Sequence, residues 1–460
     1  MIDKREIQLV LEAALSRGGD FAEIYFEEKD EFSIKHSANG VNGITGVSVL
    51  GAGVYLLSGM RSVYVYTNDT CFHSLMETAK RAAFMLNEHK TRDKKDFVFQ
   101  MKHYKSPNRV QYFPKDIHVR DKIEVIKRAD ISARQSDRAL KSLNVDYFDY
   151  DQRKTIANSE GLYVSDRRVT SRLRFSAVVE RNGLMLSEWG DYTKPSGFEA
   201  FTETDAYLDF AKEFVIDLSS ALDGVAVPSS TVPVVLEAGS CGTLWHEACG
   251  HMLEASAITE NRSDFCDKLG QQVASEKVTL VDDGTLEGLY GSSAIDDEGF
   301  KTQKNVLIES GILKGYLCDR MGARRLKMAP TASGRRQGYA YAPTSRMTNT
   351  YLAEGHDDDD EIISSVENGL YVKRLGGGNS GRSFSIAVTE GYLIKKGKIS
   401  DRVKGLSING RGIDIIKNVD RVGKKLITDS GGFCGASSGL CQVTSFQPRI
   451  RIANMTVGSE

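Results

Sequence analysis

The 460-residue sequence predicts an α+β protein: an N-terminal α/β domain, a middle α/β domain and a large β-rich C-terminal domain carrying a helix with two histidines. Three observations lead there. Apolar residues recur with a helical period in the first half, beside runs of β-branched and aromatic residues. The part beyond Ala257 is long, glycine-rich and β-forming by composition, with no repeat in the range of roughly 20–50 residues. Forty-three glycines against eight prolines imply many tight turns, which suits a strand-rich chain.

The first helix has Ile7, Val10, Leu11 and Ala14 on one face and stops at Gly18-Gly19. Residues 21–26 follow as a strand. Short β-rich runs punctuated by glycine come next, at 47–49, 54–56 and 63–66. Leu75, Ala79, Ala82 and Leu86 restore a helical period, and the polar stretch 87–96 reads as a linker, so that an N-terminal domain spans 1–90. Pro114 is expected to open a helix carrying Val119, Ile123 and Ile126. Strand-like segments follow at 144–150, 155–158, 161–164 and 172–179. Tyr207, Leu208, Ala211, Phe214, Val215, Leu218 and Leu222 form the clearest amphipathic helix, closed by Gly224 and Pro228. The middle domain therefore spans 110–224, with a boundary near 225–230. A β-run at 232–237 leads through Gly239-Ser240, with Ser240 a candidate N-cap, into the histidine-bearing residues 242–257. The C-terminal domain is 229–460.

Composition narrows the function classes. Hydrophobic content of 40% and charged content of 27% are ordinary for a soluble globular protein. A net charge of −2 implies no general affinity for nucleic acid or anionic membrane. No apolar run approaches the roughly 20 residues needed to span a bilayer. Met1-Ile2-Asp3-Lys4-Arg5-Glu6 lacks the apolar core of a signal peptide. Seven scattered cysteines, an odd number, suit free thiols in a reducing compartment. The expectation is a cytoplasmic protein with neither nucleic acid nor membrane as partner.

The run His246-Glu247-Ala248-Cys249-Gly250-His251 is the strongest chemical signal. Imidazole is a good zinc ligand, and a carboxylate beside a metal site is the usual general base of metal-assisted hydrolysis. The familiar H-E-x-x-H pattern places its histidines at i and i+4, on one helix face. Here they stand at i and i+5, which on a regular α-helix points them about 140° apart. Both can grip one ion only if the helix holds an extra residue, as in a π-bulge, and Gly250 would ease that distortion. The competing reading is two ordinary helix histidines, one buried and one exposed.

A catalytic zinc site takes three protein ligands and a water. By chemistry alone the third ligand is open among Cys434, Cys441, Cys266, Cys249, His356 and the acidic run 357–360, and any single cysteine is more often a small buried hydrophobe. Residues 356–360 lack the spacing of a calcium loop and read as an exposed acidic loop. Gly376-Gly377-Gly378-Asn379-Ser380-Gly381 has no G-K-[ST] and reads as a flexible turn. Asp282-Asp283-Gly284 reads as a turn after a strand at 278–281. Asp296-Asp297-Glu298 reads as a solvated loop.

Several blocks, in order, resemble the TldD/PmbA family of zinc metallopeptidases. His246-Glu247-Ala248-Cys249-Gly250-His251, with Leu253-Glu254 after it, is similar to the family's H-E-A-x-G-H-x-L-E signature. Val281-Asp282-Asp283-Gly284-Thr285, Ala294-Ile295-Asp296-Asp297-Glu298-Gly299 and Asn305-Val306-Leu307-Ile308-Glu309 resemble the stretch C-terminal to that signature. Arg346-Met347-Thr348-Asn349-Thr350, Gly369-Leu370-Tyr371-Val372-Lys373-Arg374 and the end from Cys434-Gly435 through Gln447-Pro448 to Asn454-Met455-Thr456-Val457-Gly458 fit later blocks. The resemblance implies three domains, with zinc on His246, His251 and a C-terminal cysteine. Counting back from Gln447-Pro448 makes that cysteine Cys434, while Cys441 has no obvious counterpart. It also implies a peptidase that hydrolyses unfolded or leader-type peptides through a zinc-activated water, with Glu247 as general base. The partner implied is a second copy, giving a homodimer, or a TldE/PmbA-like paralogue, giving a heterodimer. Two alternatives stay open at this point: a non-catalytic TldE/PmbA-like partner subunit, or a β-rich protein-binding scaffold with a structural metal. The roles of Glu254 and Cys441 are not assigned.

Overall fold

A computed structural model describes residues 2–86, 97–428 and 431–459; the linker read at 87–96 lies outside the described residues. Helix α1 (Lys4–Leu15) opens on a capping box in which the Asp3 carboxylate accepts from Glu6 N–H and the Glu6 carboxylate from Asp3 N–H. Its buried face is Ile7, Val10, Leu11 and Ala14, as its period requires. The glycine-punctuated stretch beyond it is not a set of short strands. It forms three: β1 (Phe21–Ser37), β2 (Gly40–Ser58) and β3 (Arg61–Thr67). Gly51 sits inside β2 because the Tyr339 ring lies against it, and a Cβ there would come within 2.5 Å of that ring. Helix α2 (Phe72–Leu86) packs beside α1.

A short strand β4 (Gln100–Lys102) precedes Pro114, which starts a 3₁₀ turn at Pro114–Asp116 and no helix. Ile117 and His118 return to extended backbone, and helix α3 (Val119–Arg134) begins after them. The strand-like segments beyond merge into β5 (Leu140–Asn158) and β6 (Leu162–Arg181), and β7 (Leu184–Lys194) adds a strand not read from the sequence. Helix α4 (Ala206–Ala221) closes this half. All seven strands form one sheet in the order β3-β2-β1-β5-β6-β4, with β7 also on β6. Strands β1 and β5 pair from Glu23↔Asn158 to Ile34↔Tyr147, so β1–β3 and β4–β7 share one sheet.

The four helices cover one face of this sheet. Ala22, Ile24 and Phe26 meet α1 and α2, and Val145, Tyr147, Leu173 and Phe175 meet α3 and α4. The alternate residues point the other way, toward the C-terminal half. There Glu23 pairs with Arg336 at 2.7 Å, both fully buried. Lys154 Nζ donates to Ile295 O, Asp296 O and Asp297 Oδ1, at 3.0, 3.0 and 2.6 Å. Arg168 reaches Asp297 Oδ1 at 3.0 Å. Asp296-Asp297-Glu298 is thus no solvated loop: all three are buried. Asp296 folds the loop by accepting from Glu298 N–H and Phe300 N–H, and cations of the facing sheet compensate Asp297.

The C-terminal half starts with β8 (Ser230–Leu236), which leads into the histidine helix. Next come β9 (Leu280–Asp283), β10 (Lys304–Glu309), β11 (Ile312–Leu313), the pair β12 (Gly334–Arg335) and β13 (Thr344–Ser345), and β14 (Asn349–Leu352). Asp282 and Asp283 lie within β9 itself; Asp282 accepts from Thr348 N–H, Thr348 Oγ1 and Thr350 Oγ1 of the neighbouring strand segment. Strands β15 (Asn368–Asn379), β16 (Ser383–Lys395), β17 (Lys398–Arg402), β18 (Leu406–Arg411) and β19 (Val419–Val422) follow, then β20 (Gly432–Ala436), β21 (Gly439–Phe446) and β22 (Ile450–Ser459). Gly376, Gly377 and Gly378 belong to β15, and the turn lies just after them.

Five of these strands close on themselves, in the order β15-β8-β22-β18-β16 and back to β15. Inward residues Val234, Leu236, Val372, Ile386, Ile408 and Ile452 form one core with Leu244, Trp245, Ala248 and Cys249 of the histidine helix. A second sheet, β11-β10-β9-β14-β21-β20, ends in the β20–β21 hairpin. The α+β class and β-rich C-terminal half therefore stand. Among the described residues no helix is long and apolar enough to cross a membrane, and none of the seven cysteines is in a disulfide.

Removing one partner of a buried pair costs about 3–5 kcal/mol, because the charge left behind is uncompensated. Lys154→Met should therefore lower the midpoint of chemical denaturation, whereas Lys80→Met, in an exposed pair with Glu77, should leave it unmoved. Equal midpoints for Lys154→Met and the parent chain would show that the buried charges do not hold the two halves together.

Candidate metal centre

The helix after β8 changes its winding along its length. Ser240–Gly242 is a 3₁₀ turn, Thr243–Trp245 is α-helical, His246–Gly250 is π-helical and His251–Leu253 returns to 3₁₀. Ser240 makes no capping bond; it is already inside the first turn. In the π-helical turn the His251 N–H donates to His246 O, five residues back. Gly250 permits this, since the Met347 thioether lies against it and a Cβ would approach Sδ to 2.0 Å. Buried Trp245 anchors the turn through Nε1–H to Gln447 Oε1 at 2.5 Å.

The extra residue brings the two imidazoles together. Their ring centres are 4.9 Å apart and the rings stand nearly perpendicular, at 85°. Cys434, the one buried residue of β20, completes the group from 183 positions away, with Sγ 3.2 Å from His251 Nε2. One donor atom from each of His246, His251 and Cys434 lies within 4.8 Å of the others, a set that could hold a metal ion; no other such set occurs among the described residues. Glu247 Oε2 is 3.9 Å from His251 Nε2, and Glu254 Oε1 is 3.2 Å from His251 Nδ1. His251 thus meets a carboxylate on one nitrogen and offers the other to the centre of the group.

Electrostatics fit a cation at this point. Burial pushes the Cys434 thiol up, but His246 and His251 beside it outweigh burial and bring it down to about 4. Burial disfavours a charged His251, yet Glu254 and Cys434 hold its pKa well above the usual range. His246 Nδ1 is buried with no hydrogen-bond partner among the described residues. Two imidazoles, one of them with an unpartnered buried nitrogen, and a thiolate are a suitable three-donor set for zinc.

The other candidates for the third donor lie elsewhere. Cys249 is buried toward Gly412 O, and burial alone raises its pKa. Cys266 points to Ile258 O. His356 is exposed, Asp357 pairs with Lys277 and Arg421, and Asp358 caps the short helix Asp359–Ser364. Cys441 stands directly across from Cys434 in the hairpin, but its Sγ meets Arg346 Nη1 at 3.6 Å. Arg346 was not singled out chemically; a buried arginine has no periodicity to betray it, and only its place in a recognisable block marked it.

The comparisons with known proteins agree in kind. Models of the PmbA/TldA metallopeptidase domain 1, central domain and C-terminal domain match residues 22–86, 112–221 and 229–459. A "Metalloprotease TldD homolog" of Haemophilus influenzae is 34% identical over 456 residues, covering 96% of this chain and 93% of that protein. A metalloprotease of Methanocaldococcus jannaschii is 30% identical over 443 residues, covering 95% of each. Among solved structures, TldE from Thermococcus kodakarensis superposes with a TM-score of 0.75 at 17% identity, over 99% of this chain and 100% of that one. A putative modulator of a DNA gyrase from Thermotoga maritima gives a TM-score of 0.75 at 20% identity, over 99% and 100%. These two likenesses concern the fold.

Elemental analysis offers a direct check of the donor set. About one metal ion per chain is expected, as for a single three-donor site. It should be lost in Cys434→Ser and kept in Cys441→Ser. The reverse pattern would place the site on the other cysteine.

Proposed function

We propose, on the premise that this chain belongs to the PmbA/TldD metallopeptidase family, that it is a zinc-dependent peptidase of the TldD type acting on unfolded or leader-type peptides. The observation that carries this is the meeting of His246, His251 and Cys434 within 4.8 Å, with Glu247 beside them. His246 and His251 would hold zinc as neutral imidazoles and Cys434 as a thiolate. Glu254 Oε1 stands 3.2 Å from His251 Nδ1, where a carboxylate favours a proton on that nitrogen and so leaves Nε2 for the metal. Zinc, when bound, acts as a Lewis acid that makes water a nucleophile at neutral pH and polarises the scissile carbonyl.

Glu247 is the most exposed of the four side chains, at 18%, so it faces the side from which water and peptide enter. Its carboxylate takes the proton of the attacking water and hands it to the leaving amine. A non-catalytic partner subunit would not need this carboxylate, and the fold it shares with a TldE chain does not separate the two types. Among the described residues strand β20 pairs only with β21, and an extended peptide could add as a strand along its other edge. A cleft of about 530 Å³ lined by Phe148, Arg172, Tyr290, Phe433 and Gln442 lies beside that hairpin. Main-chain pairing at such an edge would hold many sequences, but only unfolded ones. The same reading takes 1–90, 110–224 and 229–460 as three domains, the location as cytoplasmic, and the assembly as a homodimer or a heterodimer with a TldE/PmbA-like paralogue that encloses the site.

The test compares parent and Glu247→Gln chains on one protein substrate offered folded and irreversibly unfolded. The parent should cleave the unfolded form and spare the folded one. Glu247→Gln should keep its metal and lose at least about 100-fold in cleavage, the low end for loss of a general base. Near-parental cleavage by Glu247→Gln would remove Glu247 from the mechanism, and equal cleavage of both substrate forms would rule out an enclosed strand-adding site.

A further inference from the structure

Cys434 lies on a weakly anchored element. Strand β20 is five residues long, two of them glycine, and Cys434 is its only buried side chain. It hydrogen-bonds to one neighbour only, β21. Its partners in the proposed site, His246 and His251, belong to a helix almost two hundred residues earlier. Something must fix the hairpin against that helix before a metal can bring them together.

One buried side chain touches both. Arg346, 1% exposed, donates from Nη2 to Cys434 O at 2.5 Å. From Nη1 it reaches Gly439 O at 2.9 Å, Ser438 Oγ at 3.0 Å and Cys441 Sγ at 3.6 Å. These contacts tie β20, the hairpin turn and β21 to a single planar group. On its other side the link is one of charge and not a hydrogen bond: Nε faces Glu254 Oε1 at 3.9 Å, and that oxygen is the one 3.2 Å from His251 Nδ1. The guanidinium therefore stands between the hairpin carrying the thiol and the carboxylate that orients an imidazole. Its own base is fixed: Arg346 N–H donates to Ser333 O at 2.9 Å, and the adjacent Met347 packs on Gly250 of the π-helical turn.

We propose that Arg346 is a positioning residue that sets two of the three ligands at once, Cys434 through the hairpin and His251 through Glu254, and so sets the affinity of the site for zinc. It also occupies Cys441 and so keeps the second thiol of the hairpin away from the ion. The proposal rests on reading His246, His251 and Cys434 as the ligands. A lysine keeps the charge but, as a point donor on a flexible stem, cannot bridge four hairpin atoms and a carboxylate together. Arg336 is the natural control. It is also buried and its side chain bonds Tyr64, Glu23 and Asp297 O, none of which belongs to the hairpin or to the histidine helix.

The experiment measures zinc affinity by chelator competition in the full chain, and cobalt(II) absorption as a direct report of sulfur bound to metal. Arg346→Lys should bind zinc about 10- to 100-fold more weakly than the parent, the usual cost of losing an outer partner of a ligand. Its sulfur-to-cobalt band should weaken at saturating cobalt, and Arg336→Lys should match the parent in both. Parental zinc affinity in Arg346→Lys would overturn the proposal, as would an equal loss in Arg336→Lys, which would mark general loosening. Should Arg346→Lys fail to fold, Ser438→Ala removes one anchor of the guanidinium while keeping its charge, and an unchanged zinc affinity there would overturn the proposal equally. A parent chain that binds no zinc would defeat the ligand assignment itself, a different failure from a parent that binds and a lysine variant that binds as well.

Discussion

Two imidazoles five residues apart can face one point only where a helix accommodates an extra residue, and every other feature of the site builds on that single distortion. A regular helix would leave His246 and His251 on different faces, about 140° apart. The π-helical turn at His246–Gly250 costs regular hydrogen bonding and is held from outside. Trp245 is bonded to Gln447 near the end of the chain, Gly250 is filled by Met347, and Ala248 lies so close to Gly412 that a Cβ there would meet Ala248 O at 1.8 Å. Gly412 follows β18 and Gln447 precedes β22, both strands of the closed five-strand unit, whereas Met347 comes from the segment between β13 and β14. The irregular winding at the centre is thus held by packing from several elements, and π-bulges of this kind are frequent at functional sites.

The two halves meet through buried charge as well as through apolar clusters such as Tyr25, Ile156 and Val164 with Ile295. Glu23, Lys154, Arg168, Asp297 and Arg336 are all buried or nearly so, and most of their bonds run from the seven-stranded sheet to the C-terminal half. Burying so many charges is tolerable only because each finds a partner of opposite sign or a backbone carbonyl. This arrangement sets the sheet face beside the β20–β21 hairpin and so defines the cleft between them.

Much of this was legible in the residues, and the exceptions have physical causes. Helix faces such as Ile7, Val10, Leu11 and Ala14 announce themselves by period, and the i and i+5 histidines demanded the π-turn that the structure contains. Glycines inside β2 read as breaks because their reason, the Tyr339 ring against Gly51, comes from a segment nearly three hundred residues away. Asp297 read as solvated because its partners Lys154 and Arg168 are likewise remote, and Asp296 and Glu298 because they accept from the N–H groups of Gly334 and Arg320 in later segments. Pro114 signalled a start, but the extended residues after it delay α3 by a turn. Of the site, the histidines and Glu247 are local and readable. Cys434 stood out from the other cysteines only by resemblance, and Arg346 became visible only once the hairpin and the helix stood side by side.

The identity of the donor atoms around the metal decides between this site and any other. X-ray absorption at the zinc edge of the purified chain reads that set directly. Ligation by His246, His251 and Cys434 predicts two imidazole nitrogens, one sulfur and one light-atom ligand from solvent. A shell with no sulfur, or with two, would contradict it: the first would remove Cys434 from the site, and the second would bring Cys441 into it.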